Sequence, residues 1–151
     1  MKLGHTEKPM VVIDTNIVIS APLSKESNPA KIFELLLVEE IENYTSEEII
    51  KEIKGVFKRK KIKNKLSQDK INFIIENFRK FSKIIRPSIK LNIIKKDLFD
   101  NKILECAETA KADFIISGDM HLRGLINYKN IRILSPKGFL EIYLQHKRIG
   151  R

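Results

Sequence analysis

Two short apolar runs, Val11-Val12-Ile13 and Phe114-Ile115-Ile116, each lead into an aspartate: Asp14 directly, and Asp119 after Ser117-Gly118. Apolar runs of this length, rich in β-branched residues and closed by turn residues, predict strands buried on both faces. Strand and helix signals alternate around them. "IENY" is a weak second strand, "KIIRP" a third stopped by Pro87, and "IRILS" follows "DFIISGD". "SNPAKIFELLLVEE", "TSEEIIKEIKGVFKRKK", "SQDKINFIIENFRKF", "DLFDNKILECAETAKA", "MHLRGLIN" and "PKGFLEIYLQHK" read as helices. In the third of these, Ile71, Ile74, Ile75 and Phe78 recur at helical spacing. Strands alternating with helices mean βαβ units, hence an α/β fold with a mainly parallel sheet of four to five strands and helices on both faces.

That architecture tells where chemistry should sit. Sites in open parallel sheets form outside the carboxyl ends of the strands, where the strand order reverses. Asp14 and Asp119 each stand just past such an end. Asp113 opens the same strand that Asp119 closes, and six residues at ~3.3 Å each put it ~20 Å away, at the other edge. It is expected to be structural. Gly118 would let the chain turn, or let a ligand come close. Asp100 lies one turn before Ile103 on the helical arc of Ile103, Cys106, Ala107 and Ala110, so it should face the strand ends unless it only serves the first turn of its helix. Asp97, three residues earlier, is a candidate cap. In the second helix, Thr45-x-x-Glu48 matches a capping box, which gives Glu48 a local role. Glu52 has none, and lies beside the apolar arc of Ile49, Ile53 and Val56.

Four acids at one edge would repel and hold protons unless a cation neutralised them. Hard carboxylate oxygens suit Mg²⁺ or Mn²⁺, and these ions also coordinate phosphate. The rest of the chain agrees: 29 Lys+Arg against 19 Asp+Glu give a net charge of +10, which favours a polyanionic partner. "KGVFKRKKIKNK", Lys54 to Lys65, holds seven of the basic residues, and Lys54, Lys58, Arg59, Lys60 and Lys61 are its candidate nucleic-acid contacts. The expected chemistry is hydrolysis of a phosphodiester with one or two metal ions.

At 151 residues the chain fits a single domain, 1–151, with its core over 10–136. Residues 1–9 form a polar extension and 137–151 a C-terminal helix and basic tail. No apolar run nears the ~18 residues of a membrane span. The first nine residues lack a signal peptide's apolar centre, so a cytoplasmic location is expected. Cys106, the sole cysteine, excludes an internal disulfide and reads as a small buried side chain.

"VVIDTNIVIS", "TSEEIIKEI", "DLFDNKILECA" and "ADFIISGDMHL" resemble, in order, the four acidic motifs of PIN-domain nucleases, and are most similar to the VapC-like toxins of toxin–antitoxin pairs. The resemblance runs from Met10 to Pro136. It implies a three-layer α/β/α sandwich and Mg²⁺- or Mn²⁺-dependent cleavage of single-stranded or structured RNA. Asp14, Glu52, Asp100 and Asp119 would be the catalytic, metal-binding acids. Asn16 would orient Asp14 or a water, and Ser117 would make a supporting polar contact. An antitoxin protein and homodimers are the implied partners, with no membrane. The stretch from Lys58 to Asp97 carries no distinctive motif, so the resemblance says nothing of substrate choice.

Other residues are read more plainly. His121 tempts as a general base, but a metal mechanism needs none and a loop histidine suffices; His5 and His146 lie near the termini. Thr15 is either a supporting polar group or a turn residue. Ser20 and Ser24 lack a His/Asp pattern for nucleophilic catalysis. A phosphatase of the haloacid-dehalogenase type needs a second aspartate where this chain has Asn16. A catalytically silent binding module of the same fold would be expected to lose one of the four acids, and all four are present.

Overall fold

Val11 and Val12 are wholly buried, as are Phe114, Ile115 and Ile116, because their two strands occupy the middle of the sheet. In the computed structural model, which describes residues 8–88, 90, 98–119 and 127–149 and, at 60, 61, 98–100 and 149, the backbone alone, β1 is Met10–Ile13 and β4 is Phe114–Ile116. The other strands are β2 (Glu42–Thr45), β3 (Ser82–Ile84), β5 (Asn127–Tyr128) and β6 (Ile131–Leu134). Six strands run in the order β3-β2-β1-β4-β6-β5. All neighbours are parallel except β5 and β6. The two-residue β5 carries too little apolar periodicity to announce itself, and a turn at Lys129 (φ 54°) folds it back on β6.

The helices are α1 (Thr15–Ser20), α2 (Asn28–Leu37), α3 (Glu47–Phe57), α4 (Lys60–Lys63), α5 (Gln68–Phe81), α6 (Leu98–Ala110) and α7 (Pro136–Ile149). From β1 the chain winds outward to β3, then returns across the sheet to β4. Right-handed crossovers therefore put the outward helices on one face and the returning helix on the other. Accordingly α6 lies on β1, β2 and β4, while α1, α2, α3 and α5 pack on one another, a three-layer α/β/α sandwich. α7 belongs to the same core: Phe139 meets Phe114 edge to face at 5.4 Å and stacks on Tyr143 at 6.2 Å. No helix among the described residues is long and apolar enough to cross a membrane.

One helix goes beyond the sequence reading, and two local expectations need correction. "TNIVIS" is helical, although β-branched residues disfavour helix, because Asp14 caps it and Ile17, Val18 and Ile19 are buried. The second predicted helix is two: α3 ends at Phe57 and α4 is a single turn. Its cap is Ser46, whose hydroxyl accepts from Ile49 N–H at 3.3 Å, and not Thr45, which still belongs to β2. The capping box therefore does not form, and Glu48 is left for another partner. The predicted helix "MHLRGLIN" lies mostly outside the described residues.

Asp113 holds the amino edge of the sheet. Its carboxylate accepts from Met10 N–H at 2.9 Å and its own N–H donates to Met10 O at 2.7 Å. Short β3 is tied at the outer edge: Lys83 Nζ donates to Glu42 on β2 at 2.7 Å, and Tyr44 OH donates to the same carboxylate. The Lys83 bond, with that of Tyr44, holds the Glu42 carboxyl below its usual 4.5. A lowered folded-state value means that this contribution is complete above the unfolded value and vanishes as pH falls through the folded one. Replacing Glu42→Gln should accordingly flatten the loss of melting temperature on acidification below about pH 4.5; a decline as steep as in the wild type would show that this cluster does not sense pH.

Candidate active site at the carboxyl edge

The strand order reverses between β1 and β4, and the chain segments just past these two strands meet there. Asp14 N–H continues the ladder to Ile116 O at 3.0 Å, and Ser117 N–H continues it to Leu134 O at 2.9 Å. Asp14 thus lies beside Ser117. The Asp14 side chain, 3% exposed, accepts from Thr15 N–H at 2.7 Å through Oδ1 and from Ser117 Oγ at 2.7 Å through Oδ2. The same Ser117 oxygen accepts from Asp119 N–H at 2.9 Å. One fully buried hydroxyl therefore fastens two aspartates from different strands. Burying a carboxylate is tolerable when its oxygens are hydrogen-bonded.

The structure places the remaining predicted residues unequally. Asn16 is exposed on the first turn of α1, one residue beyond the Thr15 amide that orients Asp14. Glu52 is half-buried on α3, one turn beyond Glu48. Asp100 is the third residue of α6, and its backbone begins the helix at the carboxyl edge; its side chain, Asp97 and His121 lie outside the described residues. Gly118 has no positive φ, and a methyl group there would meet nothing within 4 Å. Neither strain nor protein packing requires a glycine at this position, so the expected turn function is not what it supplies.

The structure adds an acid that the sequence pattern does not single out. Glu105 is 3% exposed and Asn101, one turn before it, 1%. Lys102 Nζ stands 3.5 Å from Glu105 and 3.2 Å from Glu48, so one ammonium joins α6 to α3, and this is the role that replaces Glu48's expected cap. Between Asn101 and Ala107 every residue but Lys102 is buried. Burial from Ile103 to Ala107 leaves no wet position in that turn for a helical wheel to find, and an arc drawn through Ile103 and Ala107 puts Glu105 on the wrong side. The signal available was the acid itself, set between Leu104 and Cys106 in an apolar run. Burial pushes the Cys106 thiol up to about 12, so it remains an unreactive core residue.

Among the described residues the donor chemistry at this edge fits a hard divalent cation: the Asp14 and Asp119 carboxylates and the Ser117 hydroxyl. Among the described residues no three acids, histidines or cysteines form a ready ligand group. The basic segment is set apart. Lys58, twelve residues after Ser46, is ~18 Å along α3 from the sheet edge, whereas Lys54 is only two residues from Glu52. Removing the shared hydroxyl with Ser117→Ala would take one bond from an Asp14 oxygen and one from the Asp119 amide. A loss of about 1–3 kcal/mol in urea unfolding is expected; an unchanged midpoint would mean that the junction contributes nothing to stability.

A sequence model of the PIN domain matches residues 10–121, from the first residue of β1 to two residues past Asp119. An uncharacterized protein of the archaeon Methanocaldococcus jannaschii is 37% identical over 140 residues, which cover 87% of this chain and 89% of its own. The matched span holds both strand-end aspartates, and the sheet reverses its order between them. The chain belongs to the PIN domain family, whose members are generally nucleases that act on nucleic acids and typically use divalent metals.

Proposed function

We propose that the protein is a single-domain, metal-dependent endoribonuclease with Asp14, Glu52, Asp100 and Asp119 as its catalytic acids. The observation that carries this reading is the Asp14–Ser117–Asp119 junction, two carboxylate-bearing segments locked together where the sheet reverses. These four residues would hold Mg²⁺ or Mn²⁺, as one or two ions. Such a cation supplies activation of water and neutralisation of charge on the phosphodiester. The chain's own part is positional. The Ser117 hydroxyl and the Thr15 amide fix the Asp14 carboxylate, and Asn16 and Asp97 would serve as supporting polar groups. Lys102, between Glu105 and Glu48, ties α6 to α3 at this edge.

The biological reading is the toxin of a toxin–antitoxin pair, supported by the resemblance of the four motifs. An acidic antitoxin and a second copy of the chain are its partners in that reading. The alternative is a catalytically silent PIN-fold module that binds nucleic acid or protein. Incubation with RNA and Mn²⁺ separates the two. Fragments should form, and both EDTA and Asp14→Asn should abolish them, with a fall of at least about a hundredfold for the variant. Cleavage surviving both treatments would overturn the metal-nuclease reading, and binding without cleavage under Mg²⁺ and Mn²⁺ would favour the module.

The net charge of +10 supports RNA as the substrate class, with Lys54, Lys58, Arg59, Lys60 and Lys61 as contacts. The ends of α3 and α5 border a cavity of about 670 Å³, lined among others by Lys54, Lys58 and Lys63. Charge reversal at Lys58, Arg59, Lys60 and Lys61 should weaken RNA binding and reduce the slope of log affinity against log salt by about 0.7 for each phosphate that is no longer neutralised. An unchanged slope would assign the run to another partner.

A further inference from the structure

Phe73 breaks the pattern of its helix. α5 buries Ile71, Ile74 and Phe78, yet Phe73 is 52% exposed. Leu23, on the turn that follows α1, is 40% exposed, and the two residues border one surface. A cavity of about 290 Å³ lies against Phe73, with Lys25, Lys70 and Glu34 in its wall. A second, of about 500 Å³, is lined by Leu23, Lys65 and Lys70. Pro22 and Lys70 belong to both, so the surface is continuous.

Its charge is one-sided. Lys25, Lys65 and Lys70 form no ion pair among the described residues, whereas Lys83, Lys102, Lys129 and Lys147 each sit against a glutamate. The walls of the two cavities hold three ammonium groups and one acid, Glu34. Asp69 and Glu76, exposed one turn to either side of Phe73, lie outside those walls, and the lined surface complements a polyanion that carries flat apolar groups. Pro22 is eight residues past Asp14, through α1 and one 3₁₀ turn, on the order of 13 Å along the chain. An extended strand engaged at Asp14 would reach it.

We propose that Phe73, with Lys25, Lys65 and Lys70, anchors a nucleotide of single-stranded RNA, the base stacking on the ring and the neighbouring phosphates meeting the lysines. The proposal rests on the nuclease reading for its ligand class; what it adds is the place and the residues that take hold of an unpaired nucleotide, since bases in a duplex do not offer their faces.

The chain has no tryptophan and three tyrosines, so Phe73→Trp introduces a single indole at the site, which can be excited selectively at the red edge of its absorption. In EDTA, which keeps the RNA whole, a single-stranded oligoribonucleotide should quench its emission. An abasic oligomer of equal length should not. Phe73→Ala and Phe73→Leu should each bind the oligoribonucleotide about fivefold or more weakly by fluorescence anisotropy, and Phe73→Trp as well as the wild type. Lys70→Gln should lower the salt slope by about 0.7. Equal affinity for Phe73→Ala with an unquenched indole would overturn the anchor; if wild-type protein then still cuts RNA with Mn²⁺, the nuclease reading stands. Quenching and weakened binding in a protein that never cuts would support the anchor and remove the nuclease. Should Phe73→Ala abolish self-association in sedimentation while RNA affinity is unchanged, the face is a protein contact and the proposal fails.

Discussion

The hydrogen bond from Ser117 to Asp14 joins the two halves of the molecule at the place where they could most readily drift apart. β1 belongs to the set that winds toward β3, and β4 opens the set that winds toward β6. At the reversal no crossover helix leaves in the direction of the neighbouring strand, so a crevice opens there. A buried hydroxyl shared between Asp14 and the Asp119 amide closes the base of that crevice with directional bonds. Both aspartates then inherit the rigidity of the central strands, which are held by complete burial and a continuous parallel ladder.

Polar groups elsewhere in the core follow the same logic. Glu105 and Asn101 interrupt an apolar helix face, and Lys102 carries the charge of Glu105 outward to Glu48. Asn43, 1% exposed, accepts from Ile13 N–H at 2.9 Å and donates to Ser82 at 2.8 Å, stitching β1, β2 and β3 across their width. Buried polar bonds of this kind contribute modestly to stability but are costly to leave unmade. They specify register where apolar packing alone would permit a slip.

The distribution of charge separates two tasks. Asp14 and Asp119 meet at the carboxyl edge, while lysines are dense where α3 ends and along α4 and the start of α5. A basic surface draws a polyanion at long range, and its attraction fades over a Debye length of about 8 Å at physiological salt. Acids that hold a cation act only at contact. With the aspartates at strand ends and Lys58 about 18 Å along α3 from that edge, the basic segment can attract a polyanion without neutralising the groups proposed to cut it.

Much was legible in the sequence because it depends on local periodicity. Apolar runs ended by Asp14 and Asp119 gave the strands and their polarity, alternation gave the α/β class, and six residues of extended chain sent Asp113 to the far edge. These follow from strand geometry alone. Tertiary structure decided what depends on neighbours distant in the chain. The helix at Thr15–Ser20 overrides its β-branched composition through burial, Ser46 and not Thr45 caps α3 because β2 runs one residue further, and Glu105 is enclosed because α6 is buried from Ile103 to Ala107. Ser117 illustrates the division best. Its position two residues before Asp119 is visible in one dimension, but its bond to Asp14 exists only because two strands 103 residues apart lie side by side, and that adjacency is set by the packing of the whole sheet.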